Sequence, residues 1–326
     1  MIVVTGACGF IGSCMIAKLN FEKRKDIVAV DLFSRPDEIC LSNIENKDIA
    51  LRIDKDDFLG WLDDNYTSVD YVIHMGGISS TTVFDAEMLK QYNTNYSMAL
   101  WHLCAKYFIP LIYASSAATY GSGENGYSDD EILIPTLKPL NPYGKSKQDF
   151  DVWCLKENDK PPFWYGLKFF NVYGPNEYHK GSMASIVLHA YEQIMQTKKL
   201  KLFKSYREDI PHGQQKRDFV YIDDVVDIMY WLMENNPKSG IYNVGTGTAR
   251  SYFEIAKIMF AVLKLPPKVV YIDMPEEIKA KYQYFTQADM KKLRDAGYKG
   301  RPTSLRNGIN DYISKYLIPH FNTQSD

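Results

Sequence analysis

The sequence predicts an α/β fold, a doubly wound parallel sheet followed by a smaller C-terminal lobe. Three observations predict it. Short apolar runs alternate with amphipathic stretches through the first half of the chain. The first of these runs leads directly into a glycine-rich turn, and the alternation breaks down after Asn171. Strand–helix–strand repetition at this spacing implies parallel pairing through right-handed crossovers.

Each element follows from its pattern. Ile2-Val3-Val4-Thr5 reads as a buried strand, and 11–19 as a helix whose small and apolar residues face the sheet. Ile27-Val28-Ala29-Val30-Asp31 is the next strand, with further strands over 71–75 and 111–115 and a helix over 101–108 between them. Residues 166–170 add a further strand. Beyond Asn171, Pro175, Gly181, Pro211 and Gly213 interrupt the chain, and 205–216 is polar and turn-rich, which predicts a loop. Short strands are expected over 219–221 and 241–244, then two helical stretches from Ser251 onward. The polar end, Asn322 to Asp326, is expected to fray. The division this predicts is a nucleotide-binding unit over 1–170 with 217–250, and a substrate-binding lobe over 171–216 with 251–326.

Composition narrows the function classes. The chain has 326 residues, 45% hydrophobic and 24% charged, enough for one large domain or two fused ones. A formal net charge of -2 gives no basic surface for nucleic acid or for an acidic membrane, so neither is expected as a partner. No apolar stretch approaches the ~18 residues of a membrane span. Residues 1–6 lack a basic segment ahead of the apolar run, which breaks at Gly6, so they read as a strand rather than a signal peptide. The cysteines, Cys8, Cys14, Cys40, Cys104 and Cys154, are five in number and include no C-x-x-C pair. That argues against a disulfide framework or a zinc site and predicts no metal and a reducing, cytoplasmic location.

Gly6-Ala7-Cys8-Gly9-Phe10-Ile11-Gly12 follows the first strand and opens the first helix. Gly6 and Gly9 allow a tight turn and close backbone approach to a pyrophosphate, and Gly12 lets helix and strand pack closely. The helix start supplies free N–H groups and the positive end of its dipole. An ordinary tight turn between strand and helix would also need glycine, but strand, turn and helix here come in the order of a Rossmann-type dinucleotide site. Asp31 ends the second strand, 19 residues after Gly12, where a carboxylate bonds the adenosine ribose and favours NAD. Arg35 and Lys55 follow closely, and either could reach a 2′-phosphate and favour NADP, or simply be solvated charges. From these residues the choice stays open. Met75-Gly76-Gly77-Ile78-Ser79 caps another strand with small residues that suit backbone passing beside ribose and phosphates.

Tyr143-Gly144-Lys145-Ser146-Lys147 sets Tyr143 and Lys147 four apart, on one face of a helix begun by Pro142. An ammonium beside a phenol favours the phenolate and is expected to lower the tyrosine pKa from ~10. Such a phenol can take a hydroxyl proton as hydride leaves the same carbon. A Tyr/Lys pair alone is common on surfaces. Here it follows Ser115-Ser116-Ala117-Ala118-Thr119-Tyr120-Gly121, a strand end at which a serine can hydrogen-bond the reacting oxygen.

With glycine turn, serine strand end and Y-x-x-x-K in that order, the chain resembles the extended short-chain dehydrogenase/reductase family over essentially its whole length. Within that family it is most similar to the enzymes that epimerise carbon 6 of ADP-glycero-manno-heptose. The stretches that carry this are Ser79-Ser80-Thr81-Thr82, residues 113–121, residues 171–185, Lys216-Arg217-Asp218-Phe219-Val220-Tyr221 and Phe285-Thr286-Gln287-Ala288-Asp289. His179-Lys180-Gly181-Ser182-Met183-Ala184-Ser185 is the most diagnostic run.

The resemblance implies transient oxidation of that carbon to a ketone by tightly held NADP, or NAD, and return of hydride to the other face. It implies a precursor for lipopolysaccharide core or a related heptose conjugate, and a homo-oligomer, a pentamer in this family. It assigns Tyr143 as one acid/base and Lys180 as the second, Ser116 as the group polarising the oxygen, and Lys147 as the residue that tunes Tyr143 and binds the nicotinamide ribose. The implied cofactor set is Gly6, Gly9, Phe10, Ile11, Gly12, Asp31, Leu32, Arg35, Lys55, Met75, Gly76, Gly77, Ser79, Asn93, Tyr143, Lys147, Val172 and Lys180. The implied substrate set is Ser79, Ser116, Asn171, Ser182, His189, Phe203, Lys204, Ser205, Tyr206, Arg217 and Tyr282. Arg217 has a physical reason as well, since a guanidinium forks onto a diphosphate. Without the family, Lys180 reads as a solvated loop lysine and His189 as a core histidine.

Two alternatives stand beside this reading. One is another sugar-nucleotide enzyme of the same fold, such as a UDP-hexose 4-epimerase. Dehydratases carry an Asp-Glu pair just past the serine, where Ala117 and Ala118 stand here. The other is a non-catalytic nucleotide-binding regulator, against which Ser116, Tyr143 and Lys147 all argue.

Overall fold

The computed structural model describes residues 1–80, 85–279 and 282–323. Thr81 and Thr82, part of one stretch that carries the family resemblance, lie outside the described residues, as do the last three positions of the polar end.

Seven parallel strands form the central sheet. They are β1 (Ile2–Thr5), β2 (Ile27–Asp31), β3 (Leu51–Asp54), β4 (Tyr71–His74), β5 (Leu111–Ser116), β6 (Trp164–Phe169) and, after three strands outside the sheet, β10 (Gly240–Val244). Their order across the sheet is β10-β6-β5-β4-β1-β2-β3, as the predicted doubly wound fold requires. Strands buried on both faces read as continuous apolar runs. Alternate residues then serve different layers: Ile2 and Val4 pack into one core and Val3 into the other. The helices Phe10–Phe21 and Ile222–Asn235 pack together on one face. Lys55–Asn65, Tyr96–Lys106 and Pro142–Lys156 cover the other.

β3 has no counterpart among the strands read from the sequence. It is an edge strand in which Leu51 and Arg52 are exposed and only Ile53 is buried, so it shows neither an apolar run nor a regular alternation. The helix expected over 101–108 starts earlier, at Tyr96, and ends at Lys106. Phe108 takes a left-handed conformation, φ 56°, that closes it.

The strand order reverses between β1 and β4, each of which pairs with the other and turns its remaining edge to a different half of the sheet. Doubly wound sheets open a crevice at the carboxyl ends of strands at such a point. After β6 the chain rises over that crevice. β7 (Asn171–Tyr173), β9 (Lys216–Tyr221) and β11 (Ala249–Ser251) make a three-stranded sheet, and β8 (Leu200–Phe203) pairs in parallel with β12 (Val269–Ile272). No helix among the described residues is long and apolar enough to cross a membrane.

Candidate active site

A cleft of about 1180 Å³ runs from the glycine turn, past the ends of β1, β4 and β5, to Phe203 and Tyr252 on the far side. Its floor is made by close approach of backbones. Gly6 holds φ +63°, and a Cβ there would stand 2.7 Å from the Gly76 nitrogen. A Cβ on Gly12 would lie 2.1 Å from the Gly6 carbonyl. Both contacts exclude any side chain, so the first turn of the helix Phe10–Phe21 presents bare backbone N–H groups, with no acidic side chain among its first residues. That cradle fits a dinucleotide pyrophosphate.

Asp31 ends β2 at the rim. Its carboxylate takes hydrogen bonds from the backbone N–H groups of Cys8 and Leu32, both at 2.8 Å. Arg35 is exposed, lines the same end of the cleft, and has no ion pair among the described residues. Lys55 reaches the cleft too, its ammonium 2.7 Å from Asp56 and 4.8 Å from the Tyr92 ring centroid. Gly9, Phe10, Ile11, Leu32, Met75, Gly76, Gly77, Ser79 and Val172 all line the cleft.

Asn93 does not line it. It sits on a widened helical turn, Lys90–Asn95, and clasps the cleft wall from behind. It accepts from the Ile78 N–H at 2.8 Å and donates to the Ile78 carbonyl at 2.9 Å. A buried chain of hydrogen bonds steadies the same segment. Ser97 donates its hydroxyl to the Asn93 carbonyl (2.6 Å) and so accepts from His74 Nε2 (3.0 Å). His74 Nδ1 then accepts from Thr5 (2.7 Å), whose oxygen accepts the Gly76 N–H (3.1 Å). Burial, helped by the Lys147 charge, pushes the His74 pKa down to about 3, which keeps the ring neutral for this role.

Tyr143, Lys147 and Ser116 meet on the cleft wall. Asn141 caps the helix Pro142–Lys156 by accepting the Gly144 N–H at 2.7 Å, and Pro142 fixes its first turn. A Cβ on Gly144 would lie 2.9 Å from the Ala118 carbonyl, so this glycine lets the helix start seat against the turn after β5. The Tyr143 hydroxyl thereby reaches a hydrogen bond with Ser116. The expected lowering of the Tyr143 pKa is not what the site produces. Burial raises it, and the Ser116 hydrogen bond offsets only part of that rise. Lys147 is buried, and this pushes its own pKa down to about 8, with Asp151 pulling the other way.

Lys180 enters from the opposite lobe on the short helical turn Tyr178–Met183. It is not a solvated lysine. Its ammonium lies 5.3 Å from the Phe10 ring centroid, and burial lowers its pKa against the pull of Glu177. Asn171, Ser182, His189 and Phe203 line the cleft as well. His189 is partly exposed and 3.7 Å from Glu192, so the core-histidine alternative does not hold.

The remaining predicted residues lie outside the cleft. Lys204 pairs with Asp273 at 3.1 Å. Ser205 and Tyr206 line a separate open hollow of about 480 Å³ with Arg207 and His212. Arg217 sits behind the wall, its guanidinium 5.9 and 5.2 Å from the ring centroids of Tyr252 and Tyr282 and donating to the Gln283 carbonyl. Tyr282 reaches the cleft lining through Phe203, edge to face at 6.5 Å, and through Tyr252. Sequence reasoning passed over His74, Tyr92, His179 and Tyr252, which also line it. His74 carried a signal in its place directly before Met75-Gly76-Gly77, whereas Tyr252 carried none.

Comparison with known proteins agrees with this geometry. Residues 2–245 match the model of the NAD dependent epimerase/dehydratase family. An ADP-L-glycero-D-manno-heptose-6-epimerase of Fusobacterium nucleatum is 47% identical over 97% of this chain and 98% of its own length. One from Nitratidesulfovibrio vulgaris is 45% identical over 98% of this chain and 100% of its own. The crystal structure of the Helicobacter pylori ADP-L-glycero-D-manno-heptose-6-epimerase superposes with a TM-score of 0.80 at 32% identity, covering 98% of this chain and 96% of that one. A UDP-N-acetylglucosamine 4-epimerase from Methanobrevibacter ruminantium, 23% identical with a TM-score of 0.82, shares the fold. The chain is an enzyme of the NAD-dependent epimerase/dehydratase family, and its place there is beside the ADP-L-glycero-D-manno-heptose-6-epimerases.

Proposed function

We propose that this chain inverts carbon 6 of ADP-glycero-manno-heptose. One observation carries the reading: Tyr143 and Lys180, two proton-bearing side chains from different parts of the chain, are both half-buried and line one cleft with the dinucleotide cradle. Inverting an alcohol carbon by oxidation and reduction needs proton handling on both faces of the transient ketone, and one tyrosine on a fixed helix serves only one face. A bound nicotinamide supplies the reversible hydride acceptor. Tyr143 takes or returns the hydroxyl proton on its side, steadied by Ser116, and Lys180 does the same after the sugar has turned over. Lys147 holds the nicotinamide ribose hydroxyls through its ammonium, on the wall formed by Gly77. Asn171, Ser182 and His189 orient the heptose. Phe203, with Arg217 and Tyr282 behind it and Lys204, Ser205 and Tyr206 beyond, faces the ADP.

The cofactor we propose is NADP. Arg35 and Lys55 stand at the Asp31 end of the cleft, and Arg35 has no internal partner among the described residues to hold it away from a 2′-phosphate. Mass spectrometry of the supernatant of denatured protein tests this, and recovery of NAD alone would overturn it. The chain works as a cytoplasmic homo-oligomer in this reading, with light scattering as the check on subunit number. Incubation with ADP-D-glycero-D-manno-heptose, followed by proton NMR at carbon 6, tests the reaction. No epimerisation of that sugar, with turnover of UDP-glucose instead, would favour a UDP-hexose 4-epimerase.

A further inference from the structure

Below the working face of the helix Pro142–Lys156 lies a buried ion pair that the proposed reaction does not use. Asp151 stands one helical turn beyond Lys147, which stands one turn beyond Tyr143, so the three share a face. Asp151 and Lys168, the latter on β6, are both wholly buried, with Lys168 Nζ 2.6 Å from Asp151 Oδ2. Lys168 also donates to Thr119 Oγ1 at 2.7 Å. The carboxylate takes further hydrogen bonds from Ser115 (2.6 Å) and Tyr113 (3.1 Å) of β5.

We propose that Lys168 is a positioning residue: by holding Asp151, it keeps that carboxylate from capturing Lys147, its neighbour on the same helix face, and so leaves Lys147 directed at Tyr143 and the cofactor ribose. This rests on the proposed roles of Tyr143 and Lys147. An acid and a lysine four apart on a helix attract each other, and in a dry interior the attraction is strong. Lys168 reaches Asp151 from the sheet side and neutralises it there.

Other titratable groups face the pair. Cys154 lies near Tyr113 and Asp151, with Lys160 and Glu131 farther out. The Tyr120 ring centroid is 5.3 Å from Lys168 Nζ, with Asp129 beyond it. On the Lys147 side, His74 faces the ammonium from β4 and is neutral. None of these is a cation close enough to replace Lys168.

The test is a carbon-13 NMR titration of the full-length protein labelled at lysine Cε, with the Lys147 resonance assigned by its loss in Lys147→Arg. Parent Lys147 titrates near pH 8, because burial lowers it to about that value. Lys168→Met exposes Lys147 to a bare carboxylate and should raise its midpoint by about one pH unit. Lys168→Arg should leave it in place. Asp151→Asn, with the opposite sign, should lower it by about one unit, and it serves alone if Lys168→Met does not fold. Asp151→Asn/Lys168→Met removes both charges and should restore the parent midpoint. Unmoved midpoints in the single variants, or a double variant as displaced as Lys168→Met, would overturn the proposal. The readout needs no turnover. If the shifts appear in a protein that does not epimerise ADP-heptose, the functional reading falls and this one stands.

Discussion

The buried carboxylate of Glu177 accepts hydrogen bonds from both the backbone N–H and the hydroxyl of Ser185, each at 2.6 Å. These two residues bracket the turn Tyr178–Met183 that carries Lys180 and Ser182. Ser185 in turn caps the helix Ile186–Thr197 by accepting the Leu188 N–H at 3.3 Å. One carboxylate thus ties both ends of the loop to a fixed helix. Glu177→Ala would remove both hydrogen bonds that Ser185 donates, one of them from its part-buried N–H, at a cost of about 2 kcal/mol. Thermal melting should show the loss, and Ser185→Ala, which removes only the hydroxyl, should lose about half as much. A melting temperature equal to the parent's in Glu177→Ala would mean the loop is held in some other way.

The proposed acid/base roles of Tyr143 and Lys180 predict separable defects. Tyr143→Phe should lower epimerase turnover by about 10²- to 10⁴-fold with cofactor still bound, as removal of a positioned proton-transfer group does. Lys180→Met should lower epimerisation by a similar factor while still exchanging hydride with a substrate analogue that needs Tyr143 only. Stopped-flow absorbance of the reduced nicotinamide distinguishes the two. Full epimerase activity in Lys180→Met would end the two-base assignment.

The features most legible in the sequence were those set by backbone geometry. The glycines at 6 and 12 exist because no Cβ fits there, and β1, β2, β4 and β5 read as apolar runs because both faces are covered. The edge strand β3 did not, since one side meets solvent. At the site, the shared helix face put Tyr143 and Lys147 on the same cleft. The pKa of the phenol was misjudged because spacing reports neighbours and not desolvation, and desolvation dominates here. Lys180 was legible only through family resemblance, since its place in the cleft, with its ammonium 5.3 Å from the Phe10 ring centroid, is a long-range approach that no local pattern encodes. Arg217 looked like a free diphosphate ligand for the same reason, whereas the fold stacks it between tyrosines.

Two helical glycines should respond oppositely to alanine. Gly60 lies exposed in the helix Lys55–Asn65, and a Cβ added there would meet nothing within 4 Å. Gly60→Ala should stabilise by about 1 kcal/mol through helix propensity alone. Gly144→Ala would press a methyl against the Ala118 carbonyl at 2.9 Å and Pro139 Cβ at 3.1 Å. It should lower the melting temperature and, by shifting the Tyr143 hydroxyl from Ser116, cut turnover by roughly tenfold or more. Equal melting shifts of the same sign in the two variants would contradict this account.

Asp129 makes stability depend on pH in a direction unusual for a carboxylate. It is buried, and accepts the Asn243 N–H at 2.7 Å. Burial nonetheless dominates and raises its pKa from 3.8 to about 6. The folded state therefore holds this proton more tightly than the unfolded chain. Its contribution is fully present below about pH 4 and is lost as pH rises through 6. The amount is on the order of 3 kcal/mol. Asp129→Asn cannot ionise, so across pH 4 to 6.5 its stability in urea should rise relative to the parent's by up to that amount. A constant difference between the two proteins over that range would show that Asp129 titrates alike in the folded and unfolded states.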